Sequence, residues 1–138
     1  MLNKALSYWN EAGERPYEVL IEEGLYDYFI THIQKQSLLI EGNIYRGTKR
    51  HFQLKIGETL RYENPTSWTT NFEIAKRFIE GVDKPVILVL SSFQPLKAIF
   101  NYNNTYQEEE VIIDTMTLRV INKDQNDKLT ILEVVPHI

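Results

Sequence analysis

Apolar or aromatic side chains recur at Tyr17, Ile21, Leu25, Tyr28 and Ile33 with polar residues between them, the spacing of one buried helical face. Glu14-Arg15-Pro16 opens this helix, with proline where its missing N–H costs nothing and acids concentrated early; Gly24 is the point where it would break. From Leu38 the pattern changes. Leu39, Ile44 and Tyr45 suggest extended structure that ends at Gly47, which makes Arg46 a strand-end residue. Residues 53–66 read as irregular or weakly stranded, and Glu63-Asn64-Pro65 is a turn signal. Asn71 is placed to cap a short helix whose Phe72, Ala75, Phe78 and Ile79 form the packed face and which stops at Gly81.

The remainder is rich in strand signals. Pro85-Val-Ile-Leu-Val-Leu is short, apolar and bounded by turn residues, as a buried central strand should be. Residues 94–107 read mostly as a loop carrying Asn101, Asn103, Asn104, Thr105 and two tyrosines, Tyr102 and Tyr106, long enough to suggest a functional role. Glu110-Val-Ile-Ile-Asp resumes a strand, and residues 118–122 and 129–135 flank the polar segment 123–127 like a hairpin. The class is α+β in one domain, with a helical region over 1–36 and a β-rich core over 37–138.

Composition narrows the function classes. The 138 residues hold no cysteine, which removes disulfide frameworks and thiolate zinc sites and fits a reducing cytoplasm. No apolar run approaches a bilayer span, so a soluble cytoplasmic protein is expected, with no membrane partner. The net charge of −4 hides a basic middle: residues 46–77 carry seven cations against three acids, while both flanking regions are acidic. That segment suits a phosphate-bearing small ligand, whereas the acidic whole disfavours nucleic acid. Solvated surface cations are the plainer explanation until a motif supports the sharper one.

Several catalytic signatures fail on inspection. Gly42-Asn-Ile-Tyr-Arg-Gly-Thr-Lys approaches a P-loop but ends Gly-Thr-Lys where Gly-Lys-Ser/Thr is needed. His32, His51 and His137 are scattered, so no metal is expected. There is no Gly-x-Ser-x-Gly elbow. The triplet Glu108-Glu109-Glu110 is different. On a regular strand Glu108 and Glu110 would share a face about 6.6 Å apart, a repulsion on the order of 2 kcal/mol at an effective dielectric near 20. All three acids can simply face water at a strand start. Alternatively, paired carboxylates stabilise an oxocarbenium-like sugar cation. Arg46 would offer a planar fork for phosphate oxygens, Gly47 would allow close backbone approach, and Ser67 and Thr69 alternate on one face, where Ser67 could fix a carboxylate rotamer.

The blocks Ile44-Tyr-Arg-Gly47, Ser67-Trp-Thr-Thr-Asn-Phe-Glu-Ile-Ala-Lys-Arg-Phe78 and Glu108-Glu-Glu-Val-Ile-Ile113 resemble, in order and spacing, the three motifs of the arginine-serine-glutamate class of mono-ADP-ribosyltransferases. The resemblance spans residues 44–113. It implies two packed, mostly antiparallel sheets flanked by N-terminal helices, with an NAD cleft between them. NAD would be the substrate, with no metal. Arg46 would bind an NAD phosphate, the backbone at Gly47 would contact nicotinamide, Ser67 would orient Glu110, and Thr69 would support the same strand. Glu110 would hydrogen-bond the nicotinamide ribose and stabilise the oxocarbenium. Glu108 would position or deprotonate an acceptor guanidinium, so an arginine on a target protein is the expected acceptor, contacted by the loop through Tyr102 and Tyr106.

Departures are few. Threonine stands at 69 where the family often has serine, and bulky Trp68 would either pack or line the cleft. The N-terminal helical region is short. Reading the acidic motif as Gln107-Glu108-Glu109 would put glutamine at the acceptor-choosing position, but Val111 follows Glu110 directly, as the family pattern requires. Compact size and a Lys/Asn/Ile-rich composition resemble phage-encoded members acting on host bacterial proteins, and a toxin domain fits too. Other readings are an NAD glycohydrolase, a transferase acting on nucleic acid or another residue type, and a non-catalytic binding module with this fold.

Overall fold

The computed structural model describes residues 1–11, 16–92, 94–102 and 109–137. The expected break at Gly24 is present. Its φ of 72° lies in the left-handed region. There, Leu25 N–H reaches Leu20 O at 2.9 Å and Gly24 N–H reaches Ile21 O at 3.1 Å, the paired bonds that close a helix end. One apolar stripe therefore becomes α2 (Pro16–Glu22) and α3 (Tyr26–Gln34), preceded by α1 (Leu2–Glu11). The three helices bury Leu6, Trp9, Leu20, Phe29 and Ile33 together with Ile99 and Ile112 of the sheet. That cluster seats the N-terminal region on the strands.

Among the described residues eight strands follow, β1 (Ile44–Thr48), β2 (Thr59–Tyr62), β3 (Thr66–Thr69), β4 (Val86–Leu90), β5 (Ala98–Phe100), β6 (Glu110–Ile113), β7 (Met116–Gln125) and β8 (Thr130–Pro136). They hydrogen-bond in the order β2-β7-β8-β4-β1-β3-β6-β5. Of these pairings β4 with β8 is parallel and the rest antiparallel. The two expected sheets are thus the halves of one ladder, hinged where β1 and β3 share the register pair Tyr45↔Thr69. Across the hinge both halves supply one core, with Ile44, Leu88, Leu118 and Leu132 from one side and Trp68, Val111 and Ile113 from the other. Glu63-Asn64-Pro65 carries the chain from β2, at one edge of the first half, directly into β3 of the second. So short a link requires the halves to lie against each other.

β4 explains its unbroken apolar run. Val86, Leu88 and Leu90 enter the shared core, while Ile87 packs with Ala75 and Ile79 of α4 (Phe72–Phe78) and its C-cap on the other face. Asn71 caps α4 as expected, its side-chain oxygen accepting from Glu73 N–H at 2.9 Å. Phe78, expected on the packed face, is 57% exposed, and Ile74 is buried instead. The helix is only two turns long, so a small rotation moves its terminal residue out of contact.

Other expectations are corrected. Arg46 is the middle residue of β1, opposite Leu88, because pairing with β4 carries the strand through Gly47 to Thr48. The presumed loop contains β5, whose Ala98, Ile99 and Phe100 pair with Ile113, Ile112 and Val111. The hairpin turn is tighter than expected: β7 continues to Gln125, held partly by Lys123 Nζ donating to Phe52 O at 2.9 Å and Leu54 O at 2.8 Å.

Candidate functional site

Alternation on β3 sorts its residues by face. Trp68 enters the core, 2% exposed, and its indole N–H donates to Thr66 Oγ1 at 2.8 Å. Of the two expectations for Trp68, packing or lining the cleft as an NAD-binding residue, the structure shows packing: the ring lies between the sheet halves with its polar atom used. Ser67 and Thr69 point the other way. Ser67 pairs with Ile112 and Thr69 with Glu110, which sets both hydroxyls beside the first residue of β6.

Three of the expected residues converge. The Ser67 hydroxyl donates to Glu110 Oε2. The Ser67 carbonyl accepts from Arg46 Nη1 at 2.9 Å. One residue therefore links the guanidinium to the carboxylate, through its backbone on one side and its side chain on the other. Thr69 acts one step away, its Oγ1 accepting from Asn71 N–H at 3.1 Å and tying β3 to the start of α4.

Glu110 is 6% exposed and held by more than Ser67. Trp9 Nε1 donates to Oε2 at 3.0 Å, and Asn101 Nδ2 donates to Oε1 at 2.6 Å. Asn101 Nδ2 also reaches Asn10 Oδ1 at 2.7 Å. Glu109 is separate: its carboxylate accepts from Thr70 Oγ1 at 2.9 Å. Its φ of 50° is left-handed, so regular strand geometry begins at Glu110. Glu108 and Tyr106 lie outside the described residues. Tyr102 is 90% exposed, its ring 6.0 Å from that of Phe100.

The Arg46 guanidinium lies over the Tyr62 ring, 5.2 Å from its centroid. Its buried Nε and the buried Tyr62 hydroxyl lack hydrogen-bond partners among the described residues. His51 stands edge-on to Tyr62 at 5.9 Å, and burial first, then the Arg46 and Arg50 charges, push its pKa below the usual 6.5. Gly47 is needed for packing: a Cβ there would sit 2.5 Å from Ala75 O and 3.0 Å from Ile79 Cγ2, so only glycine lets α4 lie this close to β1. Among the described residues no group of three or more His, Asp or Glu is arranged for a metal ion. No described helix is long and apolar enough to cross a membrane.

Sequence reasoning missed Trp9 and Tyr62. The indole reaches Glu110 across 101 positions, and nothing in the local pattern marks it. Asn101 was visible only as one polar residue in a segment rich in them. A cavity of about 540 Å³ lies between α1, the end of α3 and β5, lined by residues including Leu6, Ser7, His32, Phe100 and Tyr102; Arg46, Ser67 and Glu110 are not part of its wall.

No protein-family model and no curated protein matches the sequence. Solved structures do. The ADP-ribosyltransferase Vis from Vibrio splendidus, in its complex with agmatine, is similar with a TM-score of 0.65 at 19% identity, over 99% of this chain and 68% of Vis. The Clostridium limosum C3 exoenzyme gives 0.67 at 13% identity, over 99% of this chain and 84% of its own. C3stau2 from S. aureus, solved with NAD, gives 0.69 at 12% identity, over 98% and 85%. At these identities the likeness concerns the path of the backbone, and on that ground the chain has the ADP-ribosyltransferase fold.

Proposed function

We propose that this protein is an NAD-dependent mono-ADP-ribosyltransferase that breaks the bond between nicotinamide and ribose and transfers ADP-ribose to an arginine of a target protein. The observation that carries the reading is the relay from Arg46 through Ser67 to Glu110, one cation and one carboxylate fixed by a single residue. The orphaned Nε of Arg46 fits a ligand phosphate, because a buried N–H without an acceptor is destabilising until one arrives. Nicotinamide leaves as a neutral molecule with the electron pair of the bond, and the positive charge it carried in NAD passes to the ribose. A preorganised carboxylate at Glu110 stabilises that charge without reorganising. An acceptor nitrogen, positioned by Glu108, then attacks the anomeric carbon and passes its proton to the Glu108 carboxylate.

The arginine assignment is supported by the Glu108-x-Glu110 pattern and by the complex of Vis with agmatine, itself a guanidinium compound. The choice of a protein target, a host bacterial protein if the chain is phage-encoded, follows the sequence resemblance. Action in the cytoplasm follows the same line.

Labelled NAD incubated with the protein and either agmatine or a bacterial lysate tests all of this. The expected result is ADP-ribosyl-agmatine and discrete labelled bands whose adducts hydroxylamine releases from arginine, all absent for Glu110→Gln. Nicotinamide release with no acceptor product would make the enzyme a glycohydrolase, and no NAD consumption would leave a binding module.

A further inference from the structure

Trp9 and Asn101 belong to none of the three sequence motifs, yet both donate to the Glu110 carboxylate. Oε2 takes the indole N–H at 3.0 Å beside the Ser67 hydroxyl, and Oε1 takes the Asn101 amide at 2.6 Å. A glutamate's last torsion is broad and nearly two-fold, so a donor at one oxygen leaves the plane of the carboxylate free to turn. Donors at both oxygens define it. Asn101 Nδ2 has two hydrogens, and its second partner is Asn10 Oδ1 at 2.7 Å. Helix α1 therefore reaches the carboxylate twice, directly through Trp9 and indirectly through Asn10 and Asn101.

The supports are themselves rigid. Trp9 is buried in the helical core with its ring 5.4 Å from that of Phe29. Asn101 is buried, and its backbone N–H donates to Glu110 O at 3.0 Å, which pins the end of β5 to the start of β6. Side chains held in this way resist the small displacements that cost an active site most of its rate.

We propose that Trp9 and Asn101, steadied by Asn10, are positioning residues for Glu110, so that α1 is a working part of the catalytic centre. The proposal rests on the reading of Glu110 as the catalytic carboxylate.

The test is steady-state nicotinamide release from NAD by the wild type, Trp9→Phe, Asn101→Leu and Glu110→Gln, with the thermal midpoint of each. Phenylalanine keeps most of the ring packing and removes the N–H; leucine keeps roughly the volume of asparagine and removes the amide. Each substitution is expected to lower kcat about tenfold, with KM for NAD within about twofold of wild type. A purely structural role would instead lower the thermal midpoint and leave kcat per folded molecule unchanged. If kcat stays within twofold for both variants while Glu110→Gln is inactive, the proposal is overturned. A rise in KM at constant kcat would make these residues nucleotide contacts and would overturn it as well. Wild-type turnover by Glu110→Gln would instead remove the reading of Glu110, a separate failure. Should Trp9→Phe not fold, Asn101→Leu decides by the same criterion.

Discussion

The two charged ends of the candidate site are built in opposite ways. At Glu110, itself buried, both carboxylate oxygens already accept hydrogen bonds, from Ser67, Trp9 and Asn101. At Arg46 the guanidinium uses Nη1 on the Ser67 carbonyl and lays its face on Tyr62, but Nε has no partner among the described residues. A buried polar group in a native protein is normally paired, and an exception calls for a cause. The negative end is complete in the free protein, whereas the positive end has donor capacity to spare. Such a division suits a reaction in which the carboxylate must meet a developing cation without rearranging, while the guanidinium meets an anion that arrives with the substrate.

The comparison breaks most sharply at Glu110. Glu110→Gln keeps the shape and removes the charge, and nicotinamide release is expected to fall by about 10²–10³-fold, the scale for losing one well-placed electrostatic group. Turnover near the wild-type rate would show that the completed network is only structural. Gly47→Ala attacks the scaffold of the other end. The added Cβ would meet a backbone oxygen of α4 at 2.5 Å, so β1 and α4 must separate. A loss of about 1–3 kcal/mol in stability is expected, read as a lower midpoint in urea with an unchanged slope. An unchanged midpoint would show that α4 can yield without cost.

The same asymmetry separates what the sequence made legible from what it did not. Arg46, Ser67 and Glu110 could be found because each sits beside strand and cap signals: a Gly after Arg46, Asn71 four positions beyond Ser67, and an apolar run after Glu110. The hinge, the Trp9 contact and the Tyr62 stack could not. They depend on how the sheet halves and the helices meet, and side chains 101 residues apart leave no periodic trace. The error at Arg46 has the same origin, since glycine reads as a strand end when its true cause is the neighbouring α4. β5 was lost among asparagines because a three-residue edge strand carries too little pattern to register.

A smaller effect is expected from Arg46→Lys. Lysine keeps the charge but cannot hold the Ser67 carbonyl, cover the Tyr62 ring and present a further N–H at once. KM for NAD should rise about tenfold, equivalent to roughly 1.4 kcal/mol, with kcat falling less. Equal losses in kcat and kcat/KM would place Arg46 in the chemical step and erase the distinction between the two ends.

The smallest effect concerns His51, which belongs to the positive end through its ring contact with Tyr62. Its pKa is lowered by burial and by Arg46 and Arg50, so the folded protein resists the proton that the unfolded chain accepts near pH 6.5. The unfolded state then binds more protons below neutrality. Stability should therefore decline as the pH falls through about 6.5, until the folded-state pKa is passed, and His51 should contribute no slope well above pH 7. Its φ of 74° is left-handed, which makes asparagine the substitution that tolerates the backbone. Thermal midpoints of His51→Asn should fall less steeply with acidification than those of the wild type. A phosphate-bearing ligand beside Arg46 would offset the two guanidinium charges and ease protonation of His51. Adding NAD should thus flatten the wild-type curve towards that of His51→Asn. If NAD raises the midpoint equally at pH 5.5 and pH 7.5, its phosphates lie away from this histidine and Arg46 keeps its spare donor for another purpose.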